Sequence, residues 1–159
     1  MNDNTNNTSY HNLKTLTRLA AVQASYRKSF DQAESSEILE ELDTLIFSEI
    51  SKDSSKINID KEFYSHILDE LNKKKIEIDD LLSSVLINYS LERLEIILSS
   101  ILRLATCEFI VLVDVPAKVI IDEYVGLAHA FFDGEQPSLA NGILDKLAKK
   151  LRPEEFKLE

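Results

Sequence analysis

Apolar residues recur at three- and four-residue steps along most of this chain, and the pattern is sharpest between Ile101 and Leu147. Ile101, Leu104, Ala105, Phe109 and Leu112 share one helical face. Leu98, Leu102, Ile110, Val111 and Val113 make the other sides apolar too. A helix that is apolar nearly all round is one that other helices surround, so residues 93–113 are expected to be the most buried element. Asp114-Val115-Pro116 ends it, because proline lacks a backbone donor and turns the residue before it away from helical angles. Pro116 then fits the first turn of a new helix, where the missing N–H costs nothing. That helix turns Ile120, Tyr124, Leu127, Ala128 and Phe131 inward. Gly134 and Pro137 mark a loop, and Asn141-Gly142 opens or lies within a last helix that Arg152-Pro153 closes.

The earlier part of the chain reads in the same way. A first helix over His11–Phe30 places Leu16, Leu19, Gln23, Tyr26 and Phe30 on one face and Lys14, Arg18, Ser25 and Lys28 towards the other. Ser35 or Ser36 caps a second helix with Ile38, Leu42, Leu45, Ile46 and Ile50 inward, and a polar linker runs from Ser51 to Asn58. Asp60 caps a third, with Phe63, Ile67, Leu68 and Leu71 inward and the run Lys73-Lys74-Lys75 at its C-terminus, where cations complement the helix dipole. Leu81, Leu82, Val85 and Leu86 form a short helix, and Ser90 is placed to cap the long central one. The fold class is all-α, with about seven helices. Residues 10–152 form a single domain, residues 1–9 an Asn/Thr-rich disordered tail, and residues 153–159 a frayed charged end.

Composition sharpens this picture. A chain of 159 residues with 44% hydrophobic side chains can bury one sizeable core unaided. One cysteine, Cys107, allows no internal disulfide framework and fits a reducing cytoplasm. The N-terminus has no basic segment followed by an apolar run, so it is not a secretory signal. Glu95, Arg103 and Glu108 interrupt the apolar stretch too often for a membrane span. The net charge is −10, and its spread is uneven. Residues 1–33 carry Lys14, Arg18, Arg27 and Lys28 against Asp3 and Asp31, while the remainder holds 14 basic and 26 acidic side chains. The amino end is thus net positive and the remainder taken together strongly negative, in a chain that repels polyanions at long range.

No catalytic arrangement is present, so the chain reads as a non-enzyme without a cofactor. It has no glycine-rich phosphate loop and no CxxC. A di-iron bundle needs Glu-x-x-His pairs, and none of His11, His66 and His129 has a glutamate three residues before it. His66 and His129 are therefore expected at or near the surface, and Cys107 in the core. Gly142 suggests a close approach by another backbone, with Gly142→Leu costing about 1–3 kcal/mol through overpacking. Arg103 and Glu123 interrupt apolar faces and should be partly buried with partners, possible partners including each other.

Five segments in register also carry a resemblance: AVQASY at residues 21–26, ILRLATCE at 101–108, DVPAKVIIDE at 114–123, LAHAF at 127–131 and NGILDKLA at 141–148. They resemble the NusB family of bacterial transcription antitermination factors, from about Leu13 to Leu151. The resemblance implies two helical sub-bundles and binding to the single-stranded boxA element of ribosomal RNA leader transcripts. The partner it implies is the small-subunit ribosomal protein that doubles as NusE, within the RNA polymerase antitermination complex that reads through terminators. Mapped onto this chain, the family's RNA-contact positions become Lys14 and Arg18 for phosphate and Tyr26 and Phe131 for bases. The chain departs from the family where consecutive arginines are usual (Lys14-Thr15-Leu16-Thr17-Arg18), at Leu98-Ser99, and at Gln136-Pro137-Ser138-Leu139. Two other readings stand beside this one. One is an interaction scaffold of the same fold with little RNA affinity of its own. The other is a domain associated with an RNA methyltransferase, against which the absence of a methyl-donor domain before Glu159 counts.

Overall fold

The helix at the centre of the sequence pattern is also the most covered. It spans Ile96–Val111, and eleven of its residues are buried, from Leu98 through Phe109 with Arg103 excepted. The computed structural model describes residues 3–30, 37–38 and 59–157. Among these the chain forms α1 (Asp3–Lys28), α2 (Lys61–Lys73), α3 (Lys75–Val85), α4 (Ile96–Val111), α5 (Ala117–Phe131) and α6 (Gln136–Leu151). Single 3-10 turns occupy Leu91–Arg93 and Pro153–Phe156, and no strand occurs among the described residues. The chain divides into two compact units, residues 1–68 and residues 69–159. The second predicted helix lies outside the described residues except for Glu37 and Ile38, which are helical, with Ile38 buried.

In the second unit α4, α5 and α6 pack on one another, and α3 packs on α4 and α6. The apolar spacing dictates this. Ile120, Tyr124, Leu127 and Ala128 on α5 and Ile143, Leu144, Leu147 and Ala148 on α6 are all buried, as i, i+3, i+4 patterning requires. Cys107 is fully buried, and burial pushes its thiol up to about 12. It is a core side chain, inert as a nucleophile.

Several boundaries differ from the sequence reading. α1 runs back to Asp3, so the expected tail is helical from that residue. Extending an existing helix is far cheaper than nucleating one. Its covered residues are Thr17, Arg18, Ala20, Ala21, Val22 and Ala24, whereas Tyr26 and Phe30 are exposed. The helix buries its small side chains, and the large ones had set the expected phase. Ser90 precedes only the short 3-10 turn, and Glu95 is the residue before α4. Pro116 takes the N-cap position of α5. Pro137 sits in the first turn of α6 and is buried there, so it opens that helix and Asn141-Gly142 lies inside it.

Gly142 makes no close approach. A Cβ built on it meets nothing within 4 Å, and the same holds for Gly126. The charged residues do find partners. Arg103 Nε donates to Asp79 Oδ1 at 2.8 Å, and thus to α3, not to Glu123. Glu123 is buried, as expected. The segment that follows α6 is anchored. Arg152 donates to the carbonyls of Phe109 (2.9 Å) and Leu112 (2.8 Å) and to Val115 O, which satisfies acceptors that α4 leaves open at its C-terminus. Glu155 pairs with Arg152 at 3.2 Å and accepts the Ala117 N–H at 2.9 Å. The 3-10 turn at Pro153–Phe156 is therefore fastened to the start of α5, where a frayed end was expected.

Candidate nucleic-acid interface

In the first unit the two N-terminal cations meet over one ring. Lys14 and Arg18 are separated by one turn of α1 and so project together. Lys14 Nζ lies 4.4 Å from the centre of the Phe63 ring, and Arg18 Cζ lies 5.4 Å from it, both within cation–π range. Phe63 comes from the first turn of α2, whose start Asp60 fixes. Asp60 Oδ1 accepts the Phe63 N–H at 3.0 Å, the N-cap expected from the sequence. Its backbone N–H donates to Thr17 Oγ1 at 2.9 Å, while the Thr17 hydroxyl donates to Leu13 O at 2.7 Å.

The other carboxylate oxygen of Asp60 takes Lys14. Lys14 Nζ donates to Asp60 Oδ2 at 2.6 Å, and the two side chains are 23% and 28% exposed. This hydrogen bond from Lys14 and the one from the Phe63 N–H hold the Asp60 carboxyl below its usual range. The polar face expected of α1 is thus only partly open to solvent. Lys14 sits at the rim, and Arg18 is 5% exposed behind it. The covered state of Arg18 could not be read from spacing, because a solvated cation and a stacked one have the same period.

Tyr26 is 38% exposed, about three turns beyond Lys14 on α1, and meets Phe30 edge to face with ring centres 4.9 Å apart at 65°. Arg27 and Lys28 lie in the same last turn. The fourth expected contact, Phe131, belongs to the second unit, where it is half-buried at the end of α5. The structure therefore brings Lys14 and Arg18 together and sets Tyr26 on the same helix. His66 and His129 are exposed.

The second unit contains a feature that the sequence reading missed. An open groove of about 850 Å³ runs between the α3–α4 connection and the start of α6. Leu98, Leu139 and Ile143 line it, Gly142 leaves it unfilled, and Arg93 and Lys146 lie along it with Glu95 and Glu135. Ile87 and Tyr89 also border it and are 64% and 55% exposed. Two large apolar side chains bare in so short a connection are unusual for a surface with nothing to bind. The signal in the sequence was there, in Ile87-Asn88-Tyr89, but helix periodicity passes over loop residues. Gln136 Nε2 donates to Glu95 Oε1 at 3.0 Å, bridging the two walls.

Comparison with known proteins follows the fold closely. Residues 15–149 match the model of the NusB family. The chain is 35% identical over 149 residues to the transcription antitermination protein NusB of Granulibacter bethesdensis, covering 90% of this chain and 91% of that protein. It is 31% identical over 145 residues to the NusB of Maricaulis maris, covering 91% of each. Among solved structures, NusB of T. maritima superposes with a TM-score of 0.71 at 32% identity, covering 91% of this chain and 96% of the other. A chain from the crystal structure of a plectonemic RNA supercoil has a TM-score of 0.69 at 21% identity, a likeness of fold.

Proposed function

Because this chain belongs to the NusB family, we propose that it is a transcription antitermination factor. In this reading it binds the boxA element of ribosomal RNA leader transcripts together with the small-subunit ribosomal protein acting as NusE. The complex then lets RNA polymerase read through terminators in the cytoplasm. The observation that carries the reading is the family match over residues 15–149, which takes in three of the four proposed contacts and begins one residue after Lys14.

Single-stranded RNA needs cations for its phosphates and flat side chains for its bases. Lys14 at the rim, with the charge of Arg18 behind it, serves the phosphates. Tyr26 offers an exposed ring to a base, and Phe131 borders a base at the end of α5. The groove in the second unit, apolar and edged by both charge signs, suits a folded protein partner better than a polyanion. It is the place we assign to the ribosomal protein.

A salt-series titration of boxA-like RNA against the protein mixed with that partner tests the reading. Each phosphate contact on a single strand contributes about −0.7 to the slope of log K against log salt. Lys14→Ala with Arg18→Ala should flatten the slope by at most about 1.4, the value for two whole contacts, and weaken boxA-like and scrambled RNA alike. Tyr26→Ala or Phe131→Ala should cost about 1–3 kcal/mol with little change of slope. Parent slope and affinity in the double variant would sink the RNA contacts. The interaction-scaffold reading would then lead, and the covered state of Arg18 and the net charge of −10 already favour it in part.

A further inference from the structure

Lys14, the outermost of the proposed phosphate contacts, already has an anion at hand. Asp60 Oδ2 receives its ammonium at 2.6 Å. That carboxylate is fixed, since its other oxygen holds the Phe63 N–H and its own backbone N–H is held by Thr17. Lys14 is the mobile member of the pair, with a flexible four-carbon stem and an ammonium 4.4 Å from the centre of the Phe63 ring. The pair is also within reach of solvent, with side chains 23% and 28% exposed. An incoming phosphate can meet Lys14 only by drawing it from Asp60, or by approaching while the carboxylate repels it.

We propose that Asp60 is an internal competitor for the RNA phosphate at Lys14 and so determines the affinity and salt dependence of this site. The proposal rests on the reading of Lys14 as a phosphate contact. Exchanging one anion for another releases fewer counterions than neutralising a solvated lysine, because the freed carboxylate recruits a cation of its own. Binding is thereby weakened and made less sensitive to salt. A single anion gains little at such a site, whereas a strand with several phosphates compensates through its other contacts. Asp60 thus selects for polymer over isolated phosphate.

Asp60→Asn separates this role from capping, because asparagine keeps an oxygen for the Phe63 N–H and is an equally good N-cap. The parent, Asp60→Asn, Lys14→Gln, the double variant and Tyr26→Ala are titrated with labelled boxA-like RNA across a salt series, in complex with the ribosomal partner. Thermal melts confirm folding. Asp60→Asn should bind about two- to fivefold tighter at low salt, the range set by exposed ion pairs. Its log–log slope should be steeper, by less than the ~0.7 that one whole phosphate contact contributes. The gain should vanish when Lys14→Gln is the background. Asp69→Asn, an exposed acid on the same helix, makes the same change in net charge and should give less than half the effect. An Asp60→Asn variant no tighter than the parent, or one that gains equally without Lys14, overturns the proposal. If Tyr26→Ala weakens binding in that same case, the RNA reading survives alone. If the parent complex itself fails to bind RNA, both fall together.

Discussion

Arg152 contributes far more to this structure than its position suggests. It stands next to Pro153 at the end of α6, where it reads as helix punctuation. Its guanidinium instead reaches back 43 positions to Phe109 O, with further bonds to Leu112 O and Val115 O, and its side chain is 9% exposed. A planar fork with five donors can serve several carbonyls at once. Nothing in the local sequence announces this, because the partners are backbone oxygens that every residue carries. Arg103 was legible by contrast, since a cation in an apolar face must find a partner, although the choice of Asp79 depended on where α3 lies. Arg152→Leu should destabilise the second unit by about 3 kcal/mol, leaving buried carbonyls unsatisfied. Arg152→Lys, with one compact donor group, should recover about a third to a half of that. Urea unfolding of the three proteins compares them, and a leucine variant as stable as the parent would show that water replaces the guanidinium without cost.

Among the elements, α4, α5 and α6 followed from their periodicity because each buries a wide apolar stripe. α1 did not, and the reason is its composition. Its covered face is made of Ala20, Ala21, Val22 and Ala24, small side chains that weigh little in a hydrophobic pattern but allow close packing. The glycines show the complementary error. Gly142 suggested tight contact, yet its Cβ position is open, and its lack of a side chain keeps the groove beside α6 clear. No glycine in the chain has a positive φ, so alanine is tolerated by the backbone at both helical positions. Gly126→Ala and Gly142→Ala should each stabilise by about 0.5–1 kcal/mol, from helix propensity and a less flexible unfolded chain. Thermal melts of the single variants read this directly, and a lowered melting temperature would reveal a contact the geometry does not contain. Gly142→Leu should leave stability near the parent value while lowering affinity for a protein that occupies the groove.

For the molecule as a whole, charge poses the central question. The all-α class and the absence of catalytic spacing were legible in the sequence, as was the positive amino end. Two sub-bundles were implied by the resemblance, but the place of the division, at residues 68 and 69, was not legible, because no change of composition or run of glycine and proline marks it. A net charge of −10 works against capture of a polyanion, and the two cations assigned to phosphate are partly spoken for, Lys14 by Asp60 and Arg18 by burial. An RNA-binding role under these conditions calls for a second source of positive potential, and in the proposed reading the ribosomal protein assigned to the groove would be that source. The protein alone should therefore bind boxA-like RNA weakly with a shallow salt slope. Adding the partner should raise affinity by about tenfold or more and steepen the slope by about 0.7 for every phosphate the partner covers. Gly142→Leu, which puts a side chain into the groove, should reduce this gain without touching the affinity of the protein alone. Titrating RNA against protein, partner and mixture at several salt concentrations separates the contributions. A protein that binds as tightly and as steeply by itself as in the mixture would mean that the local cations suffice, and that the groove has some other occupant.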